Sequence, residues 1–385
     1  MTNGDSFDVV VIGAGLGGLL SAAQFLRRGQ HVVVVERLAH PGGRFTAKTF
    51  QGAQVSTGAV HMLPFGTNGE LAAMLRALGV PHRIHDSEVF ASFHVRGRQI
   101  VCRSVLQLAG VLGARQFAQF VKLGYEMLLR APRPEERMQT YREWLDQRIS
   151  RTASPELYAY FERVCHFALS VDLDDVAYPE IVETTKNMFR YGAPGIVDGG
   201  CAALTGELER RVLSGGGTLL LQHDVQAIEQ EHGAVTGVRV RDKQTGGERL
   251  LLAPLVVSNI GPNATHRLVD AAVPAVGRTG FNTEETKVHG EVQGYELTIE
   301  NTKNTKRHGD CVGALPAANY RTRDAAGLKC HLLSDESIIP HRGILYCLDT
   351  ERIAGIVQPS NSDRRLAPPG KHLLITHQLL KSDNV

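Results

Sequence analysis

Short apolar runs alternate with a helical segment at the start of the chain. Phe7–Gly13 and His31–Val35 are both apolar runs, the pattern of strands buried on both faces of a sheet. Between them, Leu19–Arg28 is predicted to be a helix whose alanines let it lie close to a sheet, and Gly29 ends it. The pattern therefore predicts two parallel strands joined by a helix in a right-handed crossover.

The middle of the chain has a different pattern. Short strands are predicted within Val89–Cys102. Three helical segments follow, over Ser104–Arg130, Arg133–Arg151 and Pro155–Phe167. A glycine-rich pattern then returns, with a helix predicted over Cys201–Leu213 and buried strands as far as Pro254–Pro262. The polar stretch Gly280–Arg323 is assigned to no element.

These patterns predict an α/β fold with two domains. The first is Rossmann-like, with a βαβ unit and a mostly parallel sheet, and an α-rich or α+β substrate domain is inserted into it. The predicted boundaries are 1–87, 191–270 and an incomplete 341–385 for the Rossmann-like domain, and 88–190 and 271–340 for the inserted domain. A length of 385 residues agrees, because it is too long for one simple core.

Composition and charge exclude several classes of protein. Hydrophobic residues make up 43% of the chain and charged residues 21%, so most of it should be globular. The net charge is +2 and no basic run is present, so no nucleic-acid partner is expected. The six cysteines form no CxxC pair, which argues against a zinc site or a dithiol motif. Since neither a signal-peptide pattern nor an apolar span of about 20 residues is visible, a cytoplasmic location is expected.

Gly13-x-Gly15-x-x-Gly18 lies at the turn from the first strand to the helix, where each glycine has a mechanical role. The first makes a tight turn, the second lets the backbone approach a pyrophosphate, and the third lets the helix pack on the strand. The amides at the start of the helix then face the phosphates. Glu36, at the end of the second strand, can accept hydrogen bonds from a ribose. A tight turn with chance glycines is the alternative, but the register of strands, helix and Glu36 favours a dinucleotide site.

Pro41-Gly42-Gly43-Arg44 distinguishes between the dinucleotides NAD and FAD, which share this unit. The segment follows Glu36 by a few residues, where bare backbone and a guanidinium can reach the pyrophosphate or the ribose on the flavin side. A surface turn with a solvated arginine is the alternative. We interpret the segment as favouring FAD.

The residues from Val9 to Phe45, VVVIGAGLGGLLSAAQFLRRGQHVVVVERLAHPGGRF, resemble the FAD site of the flavin amine oxidase superfamily. Within that superfamily the resemblance is greatest to the phytoene desaturase and carotenoid isomerase branch. Four later stretches carry it further: GAVHMLP, GGCAALTGELERRVLSGGGTLLLQHDVQAI, VVSNIGP and SDRRLAPPGKHLLITHQ. It covers Asp8 to about Asp270 and Gly327 to about Leu380.

The resemblance implies FAD as the cofactor and a set of contacts to it. Gly13, Ala14, Gly15, Leu16, Gly17 and Gly18 would line the pyrophosphate, Glu36 and Arg37 the adenosine, Gly43 and Arg44 the phosphate bridge, Gly58 and His61 the flavin, and Val225 the adenine. The closing glycine-rich turn of the family is not recognisable before Val385. The chain is therefore expected to be truncated at its C-terminus relative to the family.

The resemblance further implies an FAD-dependent oxidoreductase that transfers hydride from an apolar, isoprenoid-like substrate to N5 of the flavin, as in carotenoid biosynthesis. No Ser-His-Asp set and no metal-ligand cluster is visible, so no metal is predicted. His61 is the one ionisable side chain expected beside the flavin, where it either moves a proton or only hydrogen-bonds a loop. A truncated, non-catalytic FAD-binding homologue and a flavin amine oxidase are the alternatives. The sequence does not predict the oligomeric state.

The apolar segment Ser104–Arg130 has two interpretations. It is either a buried helical cap or an entrance for the apolar substrate that lies at a bilayer surface. The second interpretation predicts a peripheral contact with a membrane.

Overall fold

The structure is a computed structural model, and it describes residues 5–271, 290–292, 295–297, 300–302 and 325–380. Its helices are α1 (Leu16–Arg27), α2 (Glu70–Ala77), α3 (Ala109–Leu129), α4 (Tyr141–Asp146), α5 (Pro155–Val164), α6 (Tyr178–Tyr191), α7 (Gly200–Ser214) and α8 (Pro262–Ala271). The first strands are β1 (Asp5–Ser6), β2 (Val9–Ile12), β3 (Val32–Val35), β4 (Ala47–Phe50), β5 (Ala53–Ser56), β6 (Met62–Leu63), β7 (Ile84–Asp86), β8 (Ala91–Val95), β9 (Arg98–Cys102) and β10 (Gly195–Val197). They are followed by β11 (Thr218–Leu220), β12 (His223–Glu231), β13 (Ala234–Asp242), β14 (Glu248–Leu252), β15 (Leu255–Ser258), β16 (Gly290–Val292), β17 (Tyr295–Leu297), β18 (Glu300–Thr302), β19 (Ala325–Ser334), β20 (Ile344–Cys347), β21 (Gly355–Val357) and β22 (His372–Leu380).

The chain divides into two compact units. The first unit gathers the described residues within 1–63, 70–84 and 196–285, and the second unit gathers those within 64–69, 85–195 and 286–385. Most of the polar stretch Gly280–Arg323, which the sequence assigns to no element, lies outside the described residues.

A parallel sheet forms the centre of the first unit. Its strand order is β11-β3-β2-β15, and every neighbouring pair is parallel. The apolar runs of β2 and β3 are fully buried, because the sheet is covered on both faces. Ala22 and Ala23 of α1 are buried in the same core, as their size predicted. The Rossmann-like α/β class predicted from the sequence is therefore confirmed.

A second sheet of the first unit has the order β1-β14-β13-β12. Strands β12, β13 and β14 are antiparallel neighbours, and Val238, Val240 and Leu251 from them share a buried cluster with Val10 and Val33 of the parallel sheet. Two features of this unit have no counterpart in the sequence prediction: the β4–β5 hairpin and helix α8. Since β4 is largely exposed, its residues do not show the apolar pattern of a buried strand.

The second unit contains a sheet of the order β18-β19-β22-β21-β20-β8-β9, together with helices α3 to α6. The prediction that residues 341–385 return to the Rossmann-like domain is wrong, because β20 pairs with β8 in this sheet, with Leu345 opposite Ser92. Strand β22 joins the same sheet through β21 and β19. An apolar run predicts a buried strand, but it does not indicate the sheet that the strand joins.

The central helices are shorter than the sequence predicts. Within Ser104–Arg130 a 3-10 turn precedes α3, and α3 is kinked at Gly113, whose φ is 74°. Within Arg133–Arg151 only a 3-10 turn and α4 form, and α5 passes into a π-helical turn over Cys165–Leu169. Helix α6 was not predicted. In the described part of the chain, no helix is both long enough and apolar enough to cross a membrane.

Candidate cofactor-binding site

The three glycines of the first turn are required for three different reasons. Gly13 has a φ of 94°, which favours glycine. A Cβ on Gly18 would overlap the carbonyl oxygen of Gly13, so packing of the helix on the turn excludes any side chain there. Gly15 has an ordinary φ of −69°, and the nearest atom to a Cβ there is the amide oxygen of Asn259, at 3.5 Å. Neither strain nor packing within the described residues requires glycine at Gly15, which fits a position kept bare for a ligand.

Helix α1 begins immediately after Gly15, and no side chain caps it. Its first-turn amides, which include those of Leu16 and Gly17, have no partner within the helix because of their position. An uncapped helix start beside a glycine turn is the arrangement that binds phosphate groups through backbone N–H groups and the helix dipole. The predicted pyrophosphate residues Gly13 to Gly18 therefore lie together at one helix terminus.

Glu36 holds the glycine turn in place. Its side chain is buried, and its two oxygens accept hydrogen bonds from the backbone N–H groups of Ala14, at 2.8 Å, and Leu38, at 2.9 Å. A carboxylate oxygen has two lone pairs, so these bonds leave capacity for the hydroxyl groups of a ribose. The backbone of Glu36 accepts a bond from His223 N–H, at 2.9 Å, so β12 begins directly beside the acid.

Val225 and Arg37 lie near this acid. Val225 is two residues beyond His223 in β12, where the pairing with β13 is shifted between Val225 and Ala227. Such a bulge takes a residue out of the ladder and leaves backbone groups available. The Arg37 side chain is exposed, and its carbonyl accepts a bond from Lys243 Nζ at 3.3 Å. The three residues predicted to hold adenosine, Glu36, Arg37 and Val225, are thus brought to one end of the parallel sheet.

The Gly42–Arg44 loop packs directly on the glycine turn. Gly42 N–H donates to the carbonyl of Ala14 at 2.8 Å, and a Cβ on Gly43 would lie 3.6 Å from Cα of Gly15. The Arg44 side chain is exposed, and none of the described residues forms an ion pair with it. An arginine without a partner beside a helix start is suited to bind a phosphate bridge.

Three further contacts fix the backbone of this loop. Thr57 Oγ1 donates to the Gly43 carbonyl at 3.1 Å, Ala59 N–H donates to the Arg44 carbonyl at 3.0 Å, and Thr205 Oγ1 of α7 donates to the Phe45 carbonyl at 2.6 Å. Gly58 lies against the loop, since a Cβ there would be 2.5 Å from the Arg44 carbonyl oxygen. The loop is therefore preorganised by its own chain.

His61 is fully buried, and both of its ring nitrogens bond to backbone. Nδ1 accepts from Cys201 N–H at 3.1 Å, so Nε2 carries the proton and donates to the carbonyl of Gln54 at 2.8 Å. Burial lowers the pKa of His61. A neutral ring with no free nitrogen favours the structural interpretation of this histidine over proton transfer.

Thr57, Thr205 and Asn259 belong to the site but were not singled out from the sequence. Asn259 lies at the end of β15, and its amide nitrogen would be 2.6 Å from a Cβ on Gly17. A threonine in a helix pattern and an asparagine after a strand carry no local signal of such contacts. Only the tertiary structure brings Asn259 to the glycine turn and the two threonines to the loop that carries Arg44.

The site is a bare helix start between a parallel strand and a buried acid, with a second glycine loop locked beside it, and this defines a dinucleotide-binding protein. No group of metal-ligating side chains is found among the described residues. The sequence model of the flavin containing amine oxidoreductase family matches residues 16–293, and the chain belongs to this family. It is an FAD-dependent oxidoreductase.

Two relatives are similar over nearly the whole chain. The uncharacterized protein MJ1488 of Methanocaldococcus jannaschii is 29% identical over 375 residues, which are 97% of this chain and 78% of that protein. A crystal structure of an oxidoreductase from Methanosarcina mazei is 29% identical, with a TM-score of 0.76 over 98% of this chain and 80% of that one. The expected truncation stays a prediction.

Two shorter matches involve proteins with named activities. Prolycopene isomerase of Daucus carota is 35% identical over 72 residues, 19% of this chain and 12% of that protein. Putrescine oxidase of Kocuria rosea is 40% identical over 73 residues, 19% of this chain and 15% of that protein. Neither match covers enough of the chain to distinguish a carotenoid substrate from an amine.

Proposed function

We propose that this oxidoreductase removes a hydride and a proton from adjacent carbons of an apolar, uncharged substrate of the isoprenoid class, in the manner of a phytoene desaturase. The short match to prolycopene isomerase supports this substrate class. A flavin amine oxidase is the competing proposal, and the short match to putrescine oxidase supports it.

Binding of FAD follows from the site. We expect the amides at the start of α1, the bare backbone at Gly15 and the guanidinium of Arg44 to hold the pyrophosphate. Glu36 would accept the ribose hydroxyls with the lone pairs that its backbone bonds leave free. FAD, when bound, supplies the two-electron acceptor, while the chain supplies binding and orientation.

The residue predicted to lie beside the flavin offers little acid–base chemistry. His61, the one ionisable side chain expected beside the flavin, has both nitrogens committed to backbone groups. A hydrocarbon substrate requires a dry, shaped site more than a strong base. A histidine whose two ring nitrogens are committed to backbone groups therefore fits the proposed substrate better than a reaction in which His61 is a strong general base.

The observation that carries the proposal is the ion pairing of the buried carboxylates in the second unit. All of those that the structure describes pair with arginine: Glu136 with Arg130 and Arg148, Asp172 with Arg142, Glu162 with Arg151, and Asp363 with Arg365. An ammonium substrate would need an anionic or aromatic partner to replace its hydration. No buried carboxylate among the described residues of this unit is available for that purpose, which supports a neutral substrate over an ammonium held by a carboxylate. An ammonium held by buried aromatic rings, such as Phe167 and Tyr346, is the form in which the amine oxidase proposal competes.

An anaerobic titration tests the proposal. Protein loaded with FAD is mixed with a detergent-solubilised isoprenoid polyene or with putrescine, and the flavin absorbance is followed. We expect the polyene to bleach the flavin and putrescine to leave it unchanged. Bleaching by putrescine alone would establish the amine oxidase instead, and bleaching by neither, with the flavin reducible by dithionite, would favour a non-catalytic homologue.

A further inference from the structure

Helix α3 exposes an apolar face. Five exposed side chains, spaced three or four residues apart, form this face and are named the α3 stripe: Ala114, Ala118, Val121, Tyr125 and Leu129. The three large ones, Val121, Tyr125 and Leu129, are 51%, 65% and 71% exposed. The opposite face of α3 is apolar as well, since Leu123 and Met127 are buried. A surface helix ordinarily carries polar residues on its outer face, so the stripe needs another explanation.

Three other exposed apolar side chains of the second unit lie on segments that are next to α3 in sequence or packed against it. Leu106 lies one turn before α3, Met138 lies beyond its C-terminal end, and Phe189 is on α6, which packs against α3. Single exposed apolar residues are common on protein surfaces, but several that recur along one face of a helix mark an interaction surface.

Basic side chains flank the stripe. Arg115 and Lys122 follow one edge of α3, and Arg133 and Arg137 come after its C-terminal end, all of them exposed. None of these four cations forms an ion pair with a described residue. The nearby Glu126, by contrast, forms an ion pair with Arg148 at 2.9 Å. The exposed Glu135 lies between Arg133 and Arg137 and offsets part of their charge, so the surface combines apolar contact area with a net positive charge.

We propose that the α3 stripe is a membrane-docking surface that binds the interface of an anionic bilayer. Apolar side chains with arginine and lysine along their edge are the composition of helices that lie in a lipid interface. Each basic residue near an anionic surface adds electrostatic attraction to the binding free energy, and the apolar residues add to it by being buried among the lipids. A second copy of the chain is a poorer occupant, because a two-fold interface would bring the same cations together. The inference does not depend on which substrate the enzyme takes.

Vesicle sedimentation with the full chain tests the surface. The protein is mixed with sucrose-loaded vesicles of phosphatidylcholine alone or of phosphatidylcholine with phosphatidylglycerol. We expect binding to the mixed vesicles that weakens as salt is added, because salt screens the attraction. No binding to either vesicle would overturn the proposal, and so would binding that is equal on both and insensitive to salt.

Two double variants separate the apolar contribution to vesicle binding from the electrostatic one. Tyr125→Ser with Leu129→Ser should lower partitioning at least about tenfold on mixed vesicles, from lost apolar burial. Arg133→Glu with Arg137→Glu should lower it by about tenfold or more on the same vesicles. Leu250→Ser with Leu255→Ser is the matched control, because these leucines are exposed in the first unit, and it should bind as the parent does. Equal loss of vesicle binding in the control variant would count against the α3 stripe. A dimer that dissociates when the stripe is substituted, while vesicle binding persists, would count against it as well.

Discussion

The ring of His61 joins the segment before β6 to the start of α7, because Nδ1 accepts a hydrogen bond from Cys201 N–H at 3.1 Å. On the other side of the ring, Nε2 donates to the Gln54 carbonyl at 2.8 Å. One turn further along α7, Thr205 bonds to the Phe45 carbonyl at 2.6 Å. A chain of hydrogen bonds therefore runs from His61 through α7 to the loop that carries Arg44.

Replacing His61 should destabilise the first unit more than it affects the reaction itself. His61→Ala removes the buried acceptor of the Cys201 N–H bond and the donor to the half-buried Gln54 carbonyl, and we expect a loss of about 2–4 kcal/mol in the free energy of unfolding. Urea unfolding of the apo-protein measures it. His61→Gln, which can still donate or accept, should recover part of the loss. If His61→Ala unfolds like the parent but bleaches more slowly with substrate, the histidine acts in proton transfer after all.

The stability of the second unit should fall at acidic pH because of His377. Burial, with a smaller contribution from Lys329, lowers the pKa of His377 to about 4. The unfolded chain takes up the proton near the ordinary pKa of about 6.5, so stability is complete above that pH and is lost as the pH falls towards 4. Between about pH 7.5 and pH 5 the loss from this residue should be about 2 kcal/mol.

The check is urea unfolding at several pH values for the parent and for His377→Asn. The variant should be less stable at neutral pH, but its midpoint should change less between pH 7.5 and pH 5. Identical slopes for the two proteins would show that other groups cause the pH dependence.

Gly15 and Gly18 should respond differently to the same substitution. Gly18→Val would overlap the Gly13 carbonyl and should lower the melting temperature of the apo-protein strongly. A Cβ at Gly15 meets only the exposed side chain of Asn259, so we expect the Gly15→Val apo-protein to fold with nearly the parent melting temperature. It should nonetheless lose FAD, because the side chain occupies the path of the pyrophosphate.

Thermal melts of apo-protein and flavin content after purification measure the two effects separately. A Gly15→Val protein that melts like the parent and retains stoichiometric FAD would place the pyrophosphate elsewhere. Stoichiometric NAD in the parent protein would contradict the choice of cofactor as well.

The sequence predicts the Gly13–Gly18 turn and Glu36 well because their roles are local. Each glycine is required by a positive φ angle, by a close contact with the helix or by the need for bare backbone near a ligand. These constraints act within a few residues, so a short sequence motif reflects them. Strands β20 to β22 pair with strands that are distant in sequence, and their apolar pattern would be the same in the sheet of the first unit as in the sheet of the second unit. Thr57 and Thr205 are recognised only from their bonds to the Arg44 loop. The role of His61 was open for the same reason, since its partners are backbone groups of remote segments.

The last prediction concerns Thr205, whose hydroxyl bonds to the loop that carries Arg44. Thr205→Val keeps the shape of the side chain but removes the bond to the buried Phe45 carbonyl, which should cost about 1–2 kcal/mol of stability and let the loop move. We expect FAD affinity to fall by about tenfold, which is about 1.4 kcal/mol. Thr205→Ser keeps the hydroxyl and should bind FAD nearly as the parent does. Arg44→Ala should weaken FAD binding without any loss of apo-protein stability, because the guanidinium has no ion-pair partner among the described residues. Fluorescence titration with FAD and urea unfolding give the two quantities. A Thr205→Val protein that loses stability but keeps its FAD affinity would show that the bond supports the fold and does not position the loop for the cofactor.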